Sequence, residues 1–199
     1  MNPLRVVRSE LVVGGQKSGK SRRAQSLAKS WLAHSPGHRA VLVATATGDD
    51  AEMRERIQRH QQDRLQDVPG MATVEEPLEL AQALRTYSRT DTLVAVDCVT
   101  LWLTNLLSPG HAAGATRTEL PVIRLDAAAA TAALIAALAS APGPVVLVSN
   151  EIGLGVVPMG REVRAFVDAL GLLNQELGGA CERVILMAAG LPLLLKGSV

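Results

Sequence analysis

Aromatic residues are scarce in this chain, making up only 2% of its 199 residues. A core must therefore be built from aliphatic side chains, and 48% of the residues are apolar. Only two cysteines are present, Cys98 and Cys181, which excludes a disulfide framework and predicts a reducing compartment, the cytoplasm. Charge of one sign is also lacking, since 20 basic and 19 acidic residues leave a net charge of +1. This balance argues against a nucleic-acid-binding protein with a broad basic surface.

Long hydrophobic runs are missing as well. The longest weakly charged stretch, Ala127–Val148, is interrupted by Pro142-Gly143-Pro144. It therefore predicts a helix followed by a strand, and we expect no stable insertion into a membrane. The length suits one domain of ordinary size, spanning residues 1–199.

Short apolar runs, rich in β-branched residues, alternate with segments of helical spacing. Runs of this kind are typical of strands that are buried on both faces, as in a parallel sheet covered by helices. The chain is therefore predicted to be a single α/β domain with a mostly parallel sheet flanked by helices. The predicted strands are Leu11–Val13, Ala40–Ala44, Leu93–Val96, Val145–Val148 and Val184–Met187. The predicted helices are Lys20–Ala33, Ala51–Arg64, Pro77–Tyr87, Val99–Leu107, Val122–Ala141 and Glu162–Leu177.

A glycine-rich segment follows the first predicted strand and opens the first predicted helix. It matches the phosphate-binding pattern GxxxxGK[ST] at every fixed position. The backbone amides of such a loop surround phosphate groups, the lysine neutralises the β and γ oxygens, and the hydroxyl binds Mg²⁺. The alternative is an ordinary glycine turn. The segment consists of Gly14, Gly15, Gln16, Lys17, Ser18, Gly19, Lys20 and Ser21, and it predicts a P-loop NTPase-like fold.

Asp97 ends the predicted strand Leu93–Val96. A carboxylate at this place is where P-loop proteins hold the Mg²⁺ ion of the nucleotide, together with the P-loop hydroxyl, here Ser21. The alternative is a cap for the helix that begins at Val99.

One histidine lies on a predicted helix with arginines one turn to either side. His60 is four residues from both Arg56 and Arg64. Histidine can attack phosphorus and form a covalent intermediate, and nearby guanidinium groups can stabilise a triphosphate. The spacing is also compatible with an ordinary residue at the edge of an apolar helix face.

Taken in order, these motifs resemble one enzyme family, the bifunctional adenosylcobinamide kinase / adenosylcobinamide-phosphate guanylyltransferases. The resemblance runs from about Glu10 to Lys196, and Val167 departs from it by replacing a family arginine. The matching segments are GGQKSGKSRRAQ (Gly14–Gln25), VATAT (Val43–Thr47), EMRERIQRHQQDR (Glu52–Arg64), TVEEP (Thr73–Pro77), VDCVTLWLTNLL (Val96–Leu107), SNEIGLGVVP (Ser149–Pro158) and AAGLPLLLK (Ala188–Lys196).

The resemblance implies two reactions. A nucleoside triphosphate, ATP or GTP, phosphorylates adenosylcobinamide, and GTP then transfers GMP to that phosphate through a guanylylated histidine, which is His60 by motif position. Lys20 is expected to be catalytic beside it, with Mg²⁺ as cofactor and a homotrimer as the assembly. Besides the P-loop, the positions implied to contact the nucleotide are Arg22, Ala46, Thr47, Gly48, Gln61, Gln62, Asp63, Arg64, Glu75 and Asp97.

Two other enzyme or switch classes share part of this pattern. A monofunctional P-loop kinase of a small metabolite needs no covalent histidine. A GTP-binding regulatory protein needs a guanine-reading NKxD-type segment, and Ser149-Asn150-Glu151 follows a suitable strand but lacks the lysine and aspartate. The segment around Asn150, Glu151 and Gly153 is either a ligand-contacting loop or a tight loop required for packing.

Overall fold

Seven strands form one sheet in the computed structural model, which describes residues 4–46, 67–107 and 126–198. In chain order the strands are β1 (Ser9–Gly14), β2 (Arg39–Ala44), β3 (Met71–Glu75), β4 (Thr92–Asp97), β5 (Val145–Asn150), β6 (Arg183–Ala188) and β7 (Leu191–Lys196). Their order across the sheet is β3-β2-β4-β5-β1-β6-β7. Every neighbouring pair is parallel except β6 and β7. The predicted α/β fold with a mostly parallel sheet is confirmed.

Helices cover both faces of the sheet. Within the described ranges they are α1 (Lys20–His34), α2 (Leu80–Tyr87), α3 (Val99–Leu107), α4 (Ala127–Ser140) and α5 (Arg161–Ala180). Helix α1 packs on one face through Ala24, Leu27 and Ala28. Helices α2 to α5 pack on the other face, where Trp102 is the largest fully buried side chain. None of the helices in these ranges is both long and apolar enough to cross a membrane.

The central strands are buried on both faces, which explains their continuous apolar runs. Successive side chains of a strand point to opposite faces. Accordingly, Leu11 and Val13 of β1 contact the layer of α2 to α5, whereas Val12 contacts the layer of α1. Each of these positions must be apolar, so the runs do not alternate with polar residues.

The two edge strands, β3 and β7, were not among the predicted strands. Most of their side chains are exposed. Strand β3 therefore has no long apolar run, and the leucines of β7 form one although they are not buried on both faces. Strand β7 also contains Pro192, which cannot donate a backbone hydrogen bond and is tolerated at a sheet edge. Edge strands of this kind leave only a weak signal in the sequence.

Some helix boundaries differ from the predicted ones for local reasons. Helix α2 begins at Leu80 and not at Pro77, because the Glu76 carboxylate accepts hydrogen bonds from the backbone amides of Leu78 and Glu79 and holds them in a turn. Helix α4 begins at Ala127 behind Asp126, whose carboxylate accepts from two amides of the first turn. The predicted helix Ala51–Arg64 lies outside the described residues.

A buried carboxylate ties α1 to the sheet. Glu10 on β1 is 1% exposed and accepts a hydrogen bond from Arg23 Nε at 2.5 Å. Its other oxygen accepts from Arg183 Nε on β6 at 2.6 Å. Arg183 also donates to the carbonyl of Arg5. The two guanidinium groups and the carboxylate are removed from water together. The attraction between them offsets the cost of desolvating each charge.

We expect Glu10→Gln to lower the free energy of unfolding by about 3–5 kcal/mol, because it leaves two buried arginines without a counter-charge. Urea denaturation followed by circular dichroism measures this loss. The matched control is Asp67→Asn, in the exposed pair with Lys29 at 4.0 Å, which should change stability by less than about 1 kcal/mol. Equal effects of the two substitutions would contradict the role given to Glu10.

Candidate functional site

The P-loop lies between the end of β1 and the start of α1, as its motif requires. Gly14 is the last residue of β1, and Gly19 precedes the helix with a φ of 102°. Lys17 also has a positive φ, 56°. The Ser18 amide donates to the Gly15 carbonyl at 3.3 Å, which closes the turn. The loop therefore leads directly into the N-terminus of α1, the end of a helix that attracts anions.

The end of β6 and the turn between β6 and β7 contact the P-loop. A Cβ at Gly14, whose φ is 153°, would lie only 2.4 Å from the carbonyl oxygen of Met187. The Gly190 amide donates to the Ser18 carbonyl at 3.0 Å. Glycine at position 14 is thus needed for close approach of two backbones, which is a second reason for the motif beyond phosphate binding.

Lys20 is buried although it carries an ammonium group. Its side chain lies back over the loop, and Nζ donates to the Gly15 carbonyl at 2.6 Å. Burial lowers the pKa of Lys20, and the neighbouring Cys98 and Asp97 oppose that effect. A lysine held in this way places a positive charge beside the amides of the loop, where it can neutralise phosphate oxygens.

Ser21 and Asp97 meet at the carboxyl end of the sheet. The Ser21 hydroxyl donates to Asp97 Oδ2 at 3.0 Å, joining the first turn of α1 to the end of β4. Both groups offer hard oxygen atoms, the ligand type that Mg²⁺ prefers. The hydrogen bond of Asp97 goes to α1 and not to the amides of α3, so the arrangement favours the metal interpretation over the helix cap.

A buried polar network fixes the end of β2. The Thr45 hydroxyl donates to the Cys98 carbonyl at 2.7 Å and accepts from the Cys98 amide at 2.9 Å. The Asn105 side chain donates to the carbonyls of Thr45 and Pro77 at 2.9 and 3.1 Å. Ala46, the next residue along the chain, is therefore held near the same edge as Asp97.

Glu75 ends β3 opposite Ala44 of β2 in the register. It lies at the same edge of the sheet as Asp97 and the P-loop. Four strand-to-strand steps separate β3 from β1, a distance of about 19 Å. Glu75 is thus far from the loop itself, at a position that suits the nucleoside end of a ligand more than its phosphates.

The remaining candidate residues divide into two groups. Gln16, Lys17 and Arg22 are exposed, whereas Ser18 is buried and its hydroxyl oxygen has no hydrogen-bond partner among the described residues. The others lie outside the described residues, and their roles stay predictions. They are Thr47, Gly48, His60, Gln61, Gln62, Asp63 and Arg64.

Sequence reasoning missed several residues that build the site. Thr45 and Asn105 act through contacts between segments that are distant in the sequence. Glu10 could have been noticed, because a carboxylate at the start of an apolar run must either point to water or be paired. Gly190 follows the last buried strand and gave no signal of its contact with the P-loop.

The chain matches known proteins along almost its whole length. The model of the cobinamide kinase / cobinamide phosphate guanyltransferase family matches residues 10–195. The bifunctional adenosylcobalamin biosynthesis protein CobP of Pseudomonas aeruginosa is 44% identical over 189 residues, covering 94% of this chain and 97% of that protein. The bifunctional adenosylcobalamin biosynthesis protein CobU of Escherichia coli is 34% identical over 187 residues, covering 94% and 98%.

A solved structure is similar in part. The flagellar accessory protein FlaH from Methanocaldococcus jannaschii superposes with a TM-score of 0.48 at 13% sequence identity. The match covers 96% of this chain and 79% of that one.

We expect Gly14→Ala to abolish nucleotide binding and to lower the free energy of unfolding by about 1–3 kcal/mol, because the new methyl group collides with the Met187 carbonyl and strains the backbone. Calorimetric titration with GTP and thermal melting measure the two effects. Gly179→Ala is the control, since nothing lies within 4 Å of a Cβ at that helical position. Normal GTP affinity of the Gly14 variant would disprove the requirement for close approach.

Both cysteines should resist alkylation in the native protein at about pH 8, because a thiol must ionise before it reacts. Burial raises the pKa of Cys98 to about 11 and that of Cys181 to about 12. Mass spectrometry after treatment with iodoacetamide should find no adduct, whereas the same protein in guanidinium chloride should carry two. Rapid native labelling of Cys98 would show that this part of the site opens to solvent.

Proposed function

The chain belongs to the cobinamide kinase / cobinamide phosphate guanyltransferase family, and from this premise we propose that it catalyses both reactions. In the first, a nucleoside triphosphate phosphorylates the hydroxyl group on the aminopropanol arm of adenosylcobinamide. In the second, GTP transfers GMP to that phosphate, giving adenosylcobinamide-GDP and pyrophosphate. The observation that carries the proposal is the P-loop whose Ser21 hydroxyl meets Asp97 at 3.0 Å, within a family match spanning residues 10–195.

One triphosphate site serves two different bond cleavages in this proposal. In the kinase step the acceptor hydroxyl attacks the γ-phosphorus and the nucleoside diphosphate leaves. In the transferase step the α-phosphorus is attacked and pyrophosphate leaves. In both, the loop amides and Lys20 stabilise the negative charge that builds up on the leaving phosphate oxygens.

The chain's residues fit a Mg²⁺ ion bound with the nucleotide. Ser21 and Asp97 would hold it, because they bring a hydroxyl and a carboxylate oxygen together at the edge where the triphosphate enters. When bound, Mg²⁺ supplies positive charge that offsets charge developing on the phosphates. Asp97 then keeps Ser21 oriented, and Lys20 acts on the neighbouring oxygens.

We assign the covalent step to His60 from its motif position. Its neutral imidazole nitrogen attacks the α-phosphorus of GTP while the bond to the bridging oxygen breaks and pyrophosphate departs. An oxygen of cobinamide phosphate then attacks the same phosphorus, and the bond to the imidazole nitrogen breaks. Atoms and charges balance without any further reactant.

The other motif positions would surround the rest of the nucleotide. In the proposal, Arg22 and the P-loop residues bind the phosphates, and Ala46 and Glu75 lie towards the nucleoside at the same edge of the sheet. The positions adjoining the histidine motif complete the contacts; these are Thr47, Gly48, Gln61, Gln62, Asp63 and Arg64.

We also propose a cytoplasmic homotrimer. Exposed leucines on the edge strand β7 support an assembly, since Leu191, Leu193 and Leu195 are 70, 56 and 56% exposed. Leu191 and Leu193 share a face by strand alternation, and Leu195 follows them where the register with β6 shifts. Together they form an apolar patch that a neighbouring subunit could cover.

The test of the proposed function uses the purified protein with Mg²⁺, adenosylcobinamide and GTP labelled at the α-phosphorus. We expect two products, the phosphate and the GDP derivative, and an acid-labile, base-stable GMP adduct on the protein. His60→Ala should lose the adduct, and Lys20→Ala should lower both turnover numbers by at least about 100-fold, because it removes a charge from the leaving group.

The control for the covalent step is His38→Ala. His38 stacks on Trp31, and its ring nitrogen lies 2.8 Å from the Trp31 carbonyl oxygen, in the turn after α1. That variant should keep the GMP adduct. An adduct that persists in His60→Ala would move the covalent role to another residue. Phosphorylation without any adduct or GDP derivative would leave a monofunctional kinase, and GTP hydrolysis indifferent to cobinamide would indicate a regulatory protein.

A further inference from the structure

Asn150 is the last residue of β5, the strand that lies between the P-loop strand β1 and the Asp97 strand β4. It is paired with Gly14 in the register of β1 and β5. The Glu151 amide donates to the Gly14 carbonyl at 3.0 Å, so the chain after β5 is bonded directly to the start of the P-loop.

The side chain of Asn150 lies on the same face of the sheet as α1. Val146 and Val148 of β5 pack in the layer of α1, and the alternation of strand side chains places Asn150 with them. The same rule applies on β4, where Leu93 and Ala95 pack in the layer of α1, so the Asp97 side chain lies on that face too. Asp97 is paired with Val148, so Asn150 extends one side-chain step further towards the ligand edge, with its Cα roughly 8 Å from that of Asp97.

The backbone of Asn150 is held from the opposite face. Its amide donates to the Thr100 hydroxyl at 2.7 Å. Its carbonyl accepts from Asn174 Nδ2 at 3.0 Å, and Asn174 Oδ1 accepts from the Ser149 hydroxyl at 2.6 Å. Three polar side chains from α3, β5 and α5 are thus used to fix the end of this one strand.

The half-buried side-chain amide of Asn150, by contrast, makes no hydrogen bond within the described residues. A polar group of this kind favours a partner in place of the water it has lost. The Asn150 backbone is held by hydrogen bonds on the opposite face, and its side chain lies on the same face of the sheet as Ser21 and Asp97, at the edge where the P-loop lies. An amide N–H group at this position suits a phosphate oxygen as its acceptor.

We propose that the Asn150 amide donates a hydrogen bond to an oxygen of the γ-phosphoryl group, and that Asn150 is a catalytic residue of the kinase step. The inference rests on the proposed function. The acceptor hydroxyl oxygen bonds to the γ-phosphorus, the bond to the β–γ bridging oxygen breaks, and the hydroxyl proton passes to solvent. Asn150 gains and loses no proton; it stabilises charge on the oxygens of the phosphoryl group as it moves.

The test compares Asn150→Ala with Asn150→Asp. Loss of the donor should lower the kinase kcat by about 100-fold in Asn150→Ala. Asn150→Asp should be slower still, because it keeps the shape but puts a carboxylate beside the phosphoryl oxygens. A residue needed only for packing would give the opposite order, with Asp tolerated better than Ala. The controls are Gln175→Ala and Gln175→Glu, the same changes at an exposed amide on α5, which should keep the wild-type kcat.

A second readout is independent of turnover. Asn150→Ala should bind a non-hydrolysable GTP analogue about tenfold more weakly than the wild type, while its affinity for GDP and its melting temperature stay unchanged. Equal losses for the analogue and GDP, or a wild-type kcat in both variants, would overturn the assignment. A wild-type protein that does not phosphorylate cobinamide would refute the proposed function, and the difference between the analogue and GDP would still decide whether Asn150 contacts the γ-phosphoryl group.

Discussion

The hydrogen bond between Ser21 and Asp97 is the contact on which the proposed nucleotide site depends. It connects the first turn of α1 to the end of β4, although β5 lies between β4 and β1 in the sheet. It can form because parallel strands end at one edge, and a helix that begins at this edge can reach over a neighbouring strand. The hydrogen bond thereby fixes the hydroxyl and the carboxylate relative to the loop, which lowers the entropic cost of ordering them during catalysis.

The start of α1 is held by buried charges as well as by apolar packing. Lys20 and Arg23 lie within one turn of each other, and each is less than a tenth exposed. Removing such groups from water costs several kcal/mol per ion unless good partners are present. The partners are the Gly15 carbonyl for Lys20 and the Glu10 carboxylate for Arg23. A small rotation of the helix would break both pairings. The desolvation of these two charges is therefore offset in only one orientation of the P-loop helix.

How far the sequence could predict this site depends on whether the signal is local. The P-loop, Gly14–Ser21, is contiguous, so its motif predicted its place between a strand and a helix but not its contacts with Met187 and Gly190. The central strands were predicted because burial on two faces leaves an apolar run. Strand β3 has no such run, and the leucines of β7 flank Pro192, which disfavours a strand, so neither edge strand was predicted. Thr45 and Asn105 form their contacts across 53 and 60 residues, and no spacing rule reveals such pairs. The sequence marks Asn150 as either a ligand-contacting or a packing residue. The strand register and the hydrogen bonds to its backbone favour a ligand contact, and neither can be read from the sequence.

The contact between Gly190 and Ser18 links the two ends of the fold energetically. The turn after β6 donates to the P-loop carbonyl and lies against its glycines, so the loop cannot keep its shape if the final hairpin detaches. By thermodynamic linkage, any ligand that tightens the loop also holds the hairpin in place. A nucleotide bound as proposed would therefore also stabilise β6 and β7 against proteolysis and heat, although it would not touch them.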